Sequence, residues 1–185
     1  MAITDNHISD FNSFQYGTDF TIGHYNHIGR NVKVGKNVTI GHHCIIEDDV
    51  EIGDNVTIEH YVLLKSQTNI KNKVFIDSYV RSSGDNVIYD NVVVRYGVTL
   101  AKKVYVYEDV FISPNVMTIY STHEGKESSG TVLEKGCYIG TAAVLGPGVT
   151  IGSGVVIGAL AFVSQDCLIK GIYAGVPAKL IKEKK

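Results

Sequence analysis

Residues 22–58 read IGHYNH, IGRNVK, VGKNVT, IGHHCI, IEDDVE, IGDNVT and then I, which is one pattern repeated every six residues. An aliphatic residue opens each hexad, glycine often follows it, and valine usually stands four positions after it. Only Ser82 and Thr118 break the aliphatic series up to residue 118. A period of six is neither the helical period nor the simple alternation of a strand. The opening aliphatic residues are Ile22, Ile28, Val34, Ile40, Ile46, Ile52, Ile58, Leu64, Ile70, Ile76, Ile88, Val94, Leu100, Val106 and Ile112.

Hexads of this kind are typical of a parallel β-helix. Each hexad supplies a short extended segment and a bend, and three hexads close one triangular coil. Successive coils are expected about 4.8 Å apart, so residues 18 apart in sequence stack on one another. The opening aliphatic residue and the residue four positions later should point inward, and we expect the glycines to supply the unusual backbone angles of the corners. The sequence therefore predicts an all-β fold, a parallel β-helix of hexapeptide repeats.

The repeat is interrupted once. It resumes at Leu133 three residues out of phase with the first run and continues to Ile169. The break isolates residues 119–132, IYSTHEGKESSGTV, as an excursion from the stack. Because functional residues are often carried by loops on a rigid repeat scaffold, His123 and Glu124 in this excursion become candidate site residues.

Length and composition restrict the class of protein. A chain of 185 residues with so continuous a repeat predicts a single domain, 1–185, with the loop at 119–132 and a C-terminal cap at 171–185. The formal net charge of −2 and the scattered charges show no basic stripe, so we expect no nucleic-acid partner. No long apolar stretch or leader is evident, so we expect no membrane association and a cytoplasmic location.

The cysteines and the C-terminus have structural interpretations. Cys44, Cys137 and Cys167 all fall at the small inward position, where valine or alanine otherwise stands, and are expected to be core residues and not metal ligands. Pro177 followed by residues 178–182 predicts a brief helix that caps the stack and covers its open strand edge.

Three segments carry a family resemblance: ISPNVMTIYSTHE (112–124), YIGTAAVLGPGVTIGSGVVIGALAFVSQD (138–166) and AGVPAKLIK (174–182). With the repeat, they resemble the hexapeptide-repeat acyltransferases, which include sugar O-acetyltransferases and nucleotide-sugar N-acetyltransferases. The resemblance implies a left-handed coil and a homotrimer with active sites between subunits. It also implies acetyl transfer from acetyl-CoA to an amino or hydroxyl group of a sugar or nucleotide-linked sugar.

The resemblance also implies roles for individual residues. His123 matches the family's catalytic histidine, and histidine suits a general base near neutral pH. Thr141 matches a position near the thioester oxygen. Thr141 and the backbone amides near Gly140 and Ala142 are candidate donors to that oxygen when it becomes an oxyanion. Ala159 and Ser164 match residues that line the pantetheine arm of the coenzyme. The remaining matched cofactor position is Lys179, which corresponds to a basic residue near the coenzyme phosphates.

The acceptor side is less defined. Glu124 replaces a proline of the galactoside-type enzymes, and it is a candidate for orienting His123 or holding an ammonium group. Asn115 lies in the Pro-Asn-Val corner before the loop. Asn91 lies two residues from Val93, which stands where galactoside-type enzymes carry a sugar-binding asparagine. We therefore take Asn91 and Asn115 as candidate substrate-binding residues.

Another family with this fold offers an alternative. His24, His42 and His60 are spaced by 18 and should stack at one corner. The γ-class carbonic anhydrases bind zinc with three histidines contributed across a subunit boundary, so a zinc hydratase is the alternative function. A vertical ladder of imidazoles does not converge on a tetrahedral point, however, and we expect no metal site here. A non-catalytic trimeric scaffold also stays open, because repeats alone carry no chemistry.

Overall fold

The computed structural model describes residues 5–127 and 129–184. Twenty-seven short strands follow one another along these residues. The first nine are β1 (His7–Ile8), β2 (Gln15–Tyr16), β3 (Thr21–Ile22), β4 (His27–Ile28), β5 (Lys33–Val34), β6 (Thr39–Ile40), β7 (Ile45–Ile46), β8 (Glu51–Ile52) and β9 (Thr57–Ile58). The next nine are β10 (Leu63–Leu64), β11 (Asn69–Ile70), β12 (Phe75–Ile76), β13 (Arg81–Ser82), β14 (Val87–Ile88), β15 (Val93–Val94), β16 (Thr99–Leu100), β17 (Val104–Val106) and β18 (Phe111–Ile112). The last nine are β19 (Met117–Thr118), β20 (Thr131–Leu133), β21 (Tyr138–Ile139), β22 (Val144–Leu145), β23 (Thr150–Ile151), β24 (Val156–Ile157), β25 (Phe162–Val163), β26 (Gly171–Ala174) and β27 (Lys179–Glu183).

The strands form three parallel sheets that are the faces of a triangular prism. Face A runs from β1 through every third strand to β25, face B from β2 to β23, and face C from β3 to β26 with β27 added at its end. In the regular run each strand pairs with the strand 18 residues later, as Ile40 pairs with Ile58. The parallel β-helix predicted from the hexads is confirmed. We name the corners A–B, B–C and C–A after the faces that they join.

The core lies along the prism axis. The opening aliphatic residues from Ile28 to Val163 and the valines four positions later are buried, as are the three free cysteines. Ile169, the last residue of the predicted series, is instead 54% exposed, because face B ends at β23 and no strand forms at Ile169. Burial raises the pKa of Cys44 to about 11 and that of Cys137 to about 12, which keeps both thiols protonated. The expectation that these cysteines are core residues is confirmed.

Where the repeat places polar residues inside, they hydrogen-bond to one another. Ser82 stands in an aliphatic position, and its hydroxyl lies 2.8 Å from that of Thr68 and accepts a hydrogen bond from the Asn86 side-chain amide at 2.9 Å. Asn86 in turn accepts from the backbone amide of Val104 at 2.7 Å. These buried polar groups thus have hydrogen-bond partners, which explains how the fold tolerates Ser82 in an aliphatic position.

The glycines have a different role from the one expected. The left-handed backbone angles of the regular corners fall three residues after the opening aliphatic position, at non-glycine residues such as Asn37 and His43. The glycine directly after the aliphatic residue is instead required by close approach. A Cβ on Gly35 would lie 2.6 Å from the carbonyl carbon of Gly53 in the next coil. The prediction that these glycines supply the unusual angles was wrong.

The C-terminal cap is present but is not a helix. β26 continues face C in parallel with β24, and the chain then reverses so that β27 pairs antiparallel with β26. The amide of Ala178 donates to the carbonyl of Phe162 at 2.7 Å, which ties the turn to the last strand of face A. A hairpin satisfies the open edge of face C directly, whereas the predicted helix over 178–182 would leave it unpaired. None of the described residues forms a helix that is long and apolar enough to cross a membrane.

The excursion occupies residues 119–130, since Thr131 and Val132 belong to β20 on face B. It therefore leaves the stack at the A–B corner, between β19 and β20. Residues 1–4, residue 128 of the loop and residue 185 of the predicted domain lie outside the described residues.

Candidate functional site

The excursion is a short hairpin with His123 at its tip. Ser121 and Glu127 form an antiparallel bridge, and the amide of Thr122 donates to the carbonyl of Lys126 at 3.0 Å. The turn between them closes through the amide of Gly125, which donates to the carbonyl of Thr122 at 2.9 Å. Gly125 has φ +76°, a left-handed angle that favours glycine. The loop therefore presents its tip on a hydrogen-bonded frame.

The base of this hairpin is attached to the coil below it. The Tyr120 hydroxyl donates to Glu127 Oε2 at 3.0 Å, and Lys103 Nζ lies 5.8 Å from the centre of the Tyr120 ring. Hydrogen bonding to Tyr120 raises the pKa of Lys103. Sequence reasoning missed Tyr120 and Lys103. The signal was available, because Tyr120 follows the last strand before the break and Lys103 occupies the same corner one coil earlier.

His123 and Glu124 are fully available to solvent and to ligands. Their side chains are 92% and 76% exposed, and His123 Nε2 lies 3.9 Å from Glu124 Oε1. Neighbouring residues in extended chain point to opposite sides, but these two lie in a turn and so can face each other. The structure thus places a carboxylate beside the candidate base.

Thr141 lies at the C–A corner, one face away from the loop. Its side chain is exposed, and neither its hydroxyl nor its backbone amide has a hydrogen-bond partner among the described residues. The amides on either side are occupied: Gly140 donates to the carbonyl of Ile157 at 2.8 Å, and Ala142 donates to that of Pro114 at 2.9 Å. Of the donors proposed from the sequence for an oxyanion, Thr141 is therefore the one that is free.

Ala159 and Lys179 lie on the same edge as Thr141. The amide of Leu160 donates to the carbonyl of Thr141 at 2.9 Å, which stacks the 159–160 corner on 141–142. Lys179 pairs with Ala174 across the terminal hairpin. Ala174 lies one coil after Gly158 and directly next to it. This part of the corner thus combines the small exposed side chains of Thr141 and Ala159 with an exposed leucine, Leu160, and a cation at its upper end.

The same edge carries large rings in its lower coils, which are the coils nearer the N-terminus. The position occupied by Thr141 and Ala159 holds His24, His42 and His60 there. The last large ring in this column is Tyr96, and the three positions above it hold Pro114, Thr141 and Ala159. Small side chains leave room for an extended ligand along the upper part.

Ser164 does not lie on this edge. It follows β25 and so lies at the A–B corner, in the column of the loop, whereas Ala159 precedes β25. Face A separates the two residues. The candidate asparagines are also apart: Asn115 is in the C–A corner beside Ala142, and Asn91 is at the B–C corner, where its side chain donates to Asp109 Oδ1 at 3.1 Å. A single chain therefore brings together Thr141, Ala142, Ala159, Asn115 and Lys179 but not His123, Ser164 or Asn91.

The predicted histidine ladder is present. The rings of His24 and His42 stack at 5.3 Å and those of His42 and His60 at 5.2 Å. The Nδ1 atoms of His42 and His60 accept hydrogen bonds from the backbone amides of His24 and His42, at 2.9 and 3.0 Å. These two nitrogens thus cap the neighbouring coil, as aspartate and asparagine do at other corners. Within residues 5–127 and 129–184, no three His, Cys, Asp or Glu side chains are grouped as metal ligands would be.

Comparison with known proteins agrees with this architecture. The family model described as bacterial transferase hexapeptide (six repeats) matches residues 31–66 and 130–165. A comparison with the sequences of curated proteins yields no significant match. The two matched segments lie on either side of the loop, one in each run of the repeat.

Solved structures share the fold over nearly the whole chain. The UDP-N-acetylglucosamine O-acyltransferase of Moraxella catarrhalis RH4 superposes with a TM-score of 0.82 at 15% identity, covering 98% of this chain and 74% of that chain. The UDP-N-acetylglucosamine acyltransferase of Arabidopsis gives a TM-score of 0.70 at 20% identity, covering 99% of this chain and 74% of that chain.

A third structure contains ligands. A mutant of the GDP-perosamine N-acetyl transferase of Caulobacter crescentus, in complex with CoA and GDP-perosamine, gives a TM-score of 0.60 at 20% identity. The match covers 70% of this chain but only 57% of that chain. These likenesses confirm the left-handed β-helix, and together with the family-model match they confirm the resemblance to hexapeptide-repeat acyltransferases. The structural neighbours are acyltransferases and acetyltransferases, and this one holds CoA.

Proposed function

We propose that this chain, which contains two segments that match the bacterial transferase hexapeptide repeat, is an acyltransferase. It moves an acetyl group from acetyl-CoA to an amino or hydroxyl group of a sugar or nucleotide-linked sugar. His123 is the general base. The observation that carries this proposal is that the chain has both an exposed histidine, on the loop that interrupts the stack, and an upper C–A edge where the small residues Thr141 and Ala159 lead to Lys179.

Acyl transfer from a thioester needs three things. A base must take the proton of the incoming amine or hydroxyl, a donor must stabilise the carbonyl oxygen as it becomes anionic, and the two substrates must be aligned. His123 supplies the base, with Glu124 positioned to orient its ring or stabilise the imidazolium. Thr141 supplies a free hydroxyl and a free amide for the oxyanion.

The upper C–A edge fits the acyl donor. Acetyl-CoA is a long flexible arm with phosphates at its far end. The small side chains of Thr141 and Ala159 leave space for the arm, and Lys179 provides positive charge at the end of the edge. Backbone carbonyls along this corner are used within the stack, so the donor is held mainly by shape, the free groups of Thr141 and the terminal charge.

One chain cannot complete this site, because face A separates the His123 loop from the Thr141 edge. A homotrimer solves the problem if the A–B corner of one copy meets the C–A corner of the next. Each site then takes its base from one subunit and its donor groove from another.

The role of His123 is tested by His123→Ala, with His7→Ala as the matched control. Both side chains are exposed, so each variant should keep its unfolding free energy within about 0.5 kcal/mol of wild type. Thiol release from acetyl-CoA, measured against a panel of sugars and nucleotide sugars, should fall by about 10² or more for His123→Ala only. If His123→Ala keeps more than about a tenth of wild-type turnover, His123 is not the base.

The shared site is tested by mixing subunits. Unfolded His123→Ala and Thr141→Val chains are combined and refolded together, and each is also refolded alone. If the site is shared, mixed trimers contain an interface with both native residues, so activity should reappear. Mixtures no more active than the separate variants, or an active monomer by light scattering, would contradict the shared site.

A further inference from the structure

A pocket on face B is lined by residues that the proposed site does not use. It has a volume of about 260 Å³ and is lined by Tyr107, Val132, Glu134, Lys135 and Ser153. Small-molecule pockets are usually about 300–1,000 Å³, so this one has room for a single ring system with a small substituent. It contains an aromatic ring, an aliphatic floor and charged groups at the rim.

The ring of Tyr107 ends an aromatic column. It stacks on Tyr89 in the coil below, with ring centres 4.8 Å apart and planes within 4° of parallel. The position above Tyr107 is Glu134, which is not aromatic, and the other lining residues also belong to later coils. The pocket therefore lies on the side of the ring that Tyr89 does not cover. Tyr107 is 37% exposed, so this side is available for stacking.

The polar groups at the rim are held in place. Glu134 Oε2 accepts hydrogen bonds from the amide and hydroxyl of Ser153 at 3.0 and 3.3 Å, which leaves Oε1 without a partner among the described residues. Lys135 Nζ lies 3.5 Å from Asp109 Oδ2, and Asp109 also accepts from Asn91. A fixed carboxylate oxygen beside an aromatic ring suits a planar ligand that carries an N–H donor on its edge. A lysine at the rim suits a phosphate attached to that ligand.

The pocket is close to the base of the hairpin that carries His123. β20 crosses face B directly from residue 130 at the end of the loop to the pocket, and its three residues span roughly 10 Å. A ribose and two phosphates bridge a gap of this order. A sugar at the loop could therefore be joined to a base in the pocket.

We propose that the Tyr107 pocket binds the nucleobase of a nucleotide-linked sugar acceptor. The base stacks on Tyr107 over Val132, Glu134 Oε1 accepts an N–H from its edge, and Lys135 faces the phosphates. This rests on the proposed function, which it narrows from sugars in general to nucleotide-linked sugars.

Binding of UDP and GDP by isothermal titration tests the pocket without catalysis. Base stacking on an aromatic side chain is worth enough that Tyr107→Ala should weaken the better-bound nucleotide roughly ten-fold or more. Tyr107→Phe keeps the ring and should bind nearly as wild type. Tyr25→Ala is the matched control, because Tyr25 is also an exposed, stacked tyrosine but lies on the C–A corner.

Three results would overturn the proposal. Ribose 5-phosphate could bind as well as the nucleotides, which would show that no base is recognised. Adenosine 3′,5′-bisphosphate could bind most tightly and be the ligand sensitive to Tyr107→Ala, which would assign the pocket to the donor. No nucleotide could bind at all, as expected if a second copy of the chain covers the pocket.

Transfer assays separate this proposal from the proposed function. With acetyl-CoA, the Tyr107→Ala variant should raise KM for a UDP- or GDP-linked amino sugar and leave KM for acetyl-CoA unchanged. If nucleotides bind through Tyr107 but no acetyl transfer occurs, the acyltransferase proposal fails and the nucleobase pocket stands. If transfer to free amino sugars is efficient and a linked nucleotide gives no advantage, the pocket proposal fails and the acyltransferase stands.

Discussion

Removing the loop should leave the fold intact and abolish activity. Twelve residues, 119–130, connect β19 to β20 at the A–B corner, whereas three residues, 101–103, connect the equivalent strands one coil earlier. The excess is nine residues. Deleting residues 121–129 leaves Ile119, Tyr120 and Gly130 as the connection. Gly130 then takes the place of Lys103, and both have left-handed φ angles, +109° and +59°.

The expected change in stability is small and favourable. Shortening the connection from twelve residues to three reduces the entropy cost of closing it by about 1 kcal/mol. The interactions that the deletion removes are exposed to solvent, chiefly the hydrogen bond between Tyr120 and Glu127. Such surface interactions are usually worth less than about 1 kcal/mol each. The variant should therefore unfold cooperatively at a midpoint equal to or slightly above that of wild type, while thiol release from acetyl-CoA falls to the background rate.

The control is a deletion of equal length in the regular run, residues 54–62. Nine residues are one and a half hexads, so every later strand is moved by an odd number of positions and turns its apolar residues outward. This variant should not fold. Chemical denaturation with circular dichroism distinguishes the outcomes. Loss of cooperative unfolding in the loop deletion would show that the excursion is part of the scaffold, and full activity without the loop would remove His123 from the chemistry.

Three further changes test the core and the donor edge. Ile52→Asp should unfold the protein or lower its free energy of unfolding by several kcal/mol, because Ile52 is 4% exposed and a buried carboxylate has no partner there. Glu51→Asp, on the outer side of the same strand, should be tolerated. Normal melting of Ile52→Asp would show that the inward face is misassigned. Burial raises the pKa of Cys137 from 9.0 to about 12, so the folded chain keeps a proton that the unfolded chain loses, and stability should fall as pH rises above about 9. At pH 10, ionisation of this thiol in the unfolded chain should lower the free energy of unfolding by about 1 kcal/mol. Cys137→Val should remove that loss in urea denaturation. A pH profile that the substitution leaves unchanged would contradict the raised pKa. Lys179→Glu should raise KM for acetyl-CoA at low salt with little change in kcat, and the rise in KM should shrink at high salt. The same KM in Lys179→Glu and in wild type would show that the cap is only structural.

The fold could be predicted from the sequence because one physical requirement repeats along it. Each hexad must put an aliphatic and a small residue inside, so the inward face can be assigned at Ile40 or Ile112 with no further information. The same logic located the loop, since a shift of three residues cannot be absorbed by the packed core. The cap was harder, because residues 178–182 satisfy the composition of a short helix, and only the open edge of face C decides that they form a strand.

The candidate site could be predicted only in part. The loop histidine was found because it lies where the repeat fails. The position of Ser164 was not predicted, because Ser164 and Ala159 are only five positions apart in sequence while a whole face separates them in space. Glu124 faces His123 only because the chain turns between them. Sequence reasoning also overlooked the stack of Tyr89 and Tyr107, although their spacing of 18 predicts it.

The division of labour in this fold follows from how its hydrogen bonds run. Backbone amides and carbonyls bond along the prism axis, from coil to coil, and the core is filled by two positions of each hexad. The outward residues of the corners take no part in the core, and those that do not cap a neighbouring coil, as His42 does, can change at little cost to the scaffold. His24, His42 and His60 occupy the lower part of one column of corner positions and Thr141 and Ala159 the upper part. A function that needs groups from two columns must then either cross a face or be completed by a neighbouring copy. Because face A lies between the His123 loop and the Thr141 edge, the second arrangement is favoured.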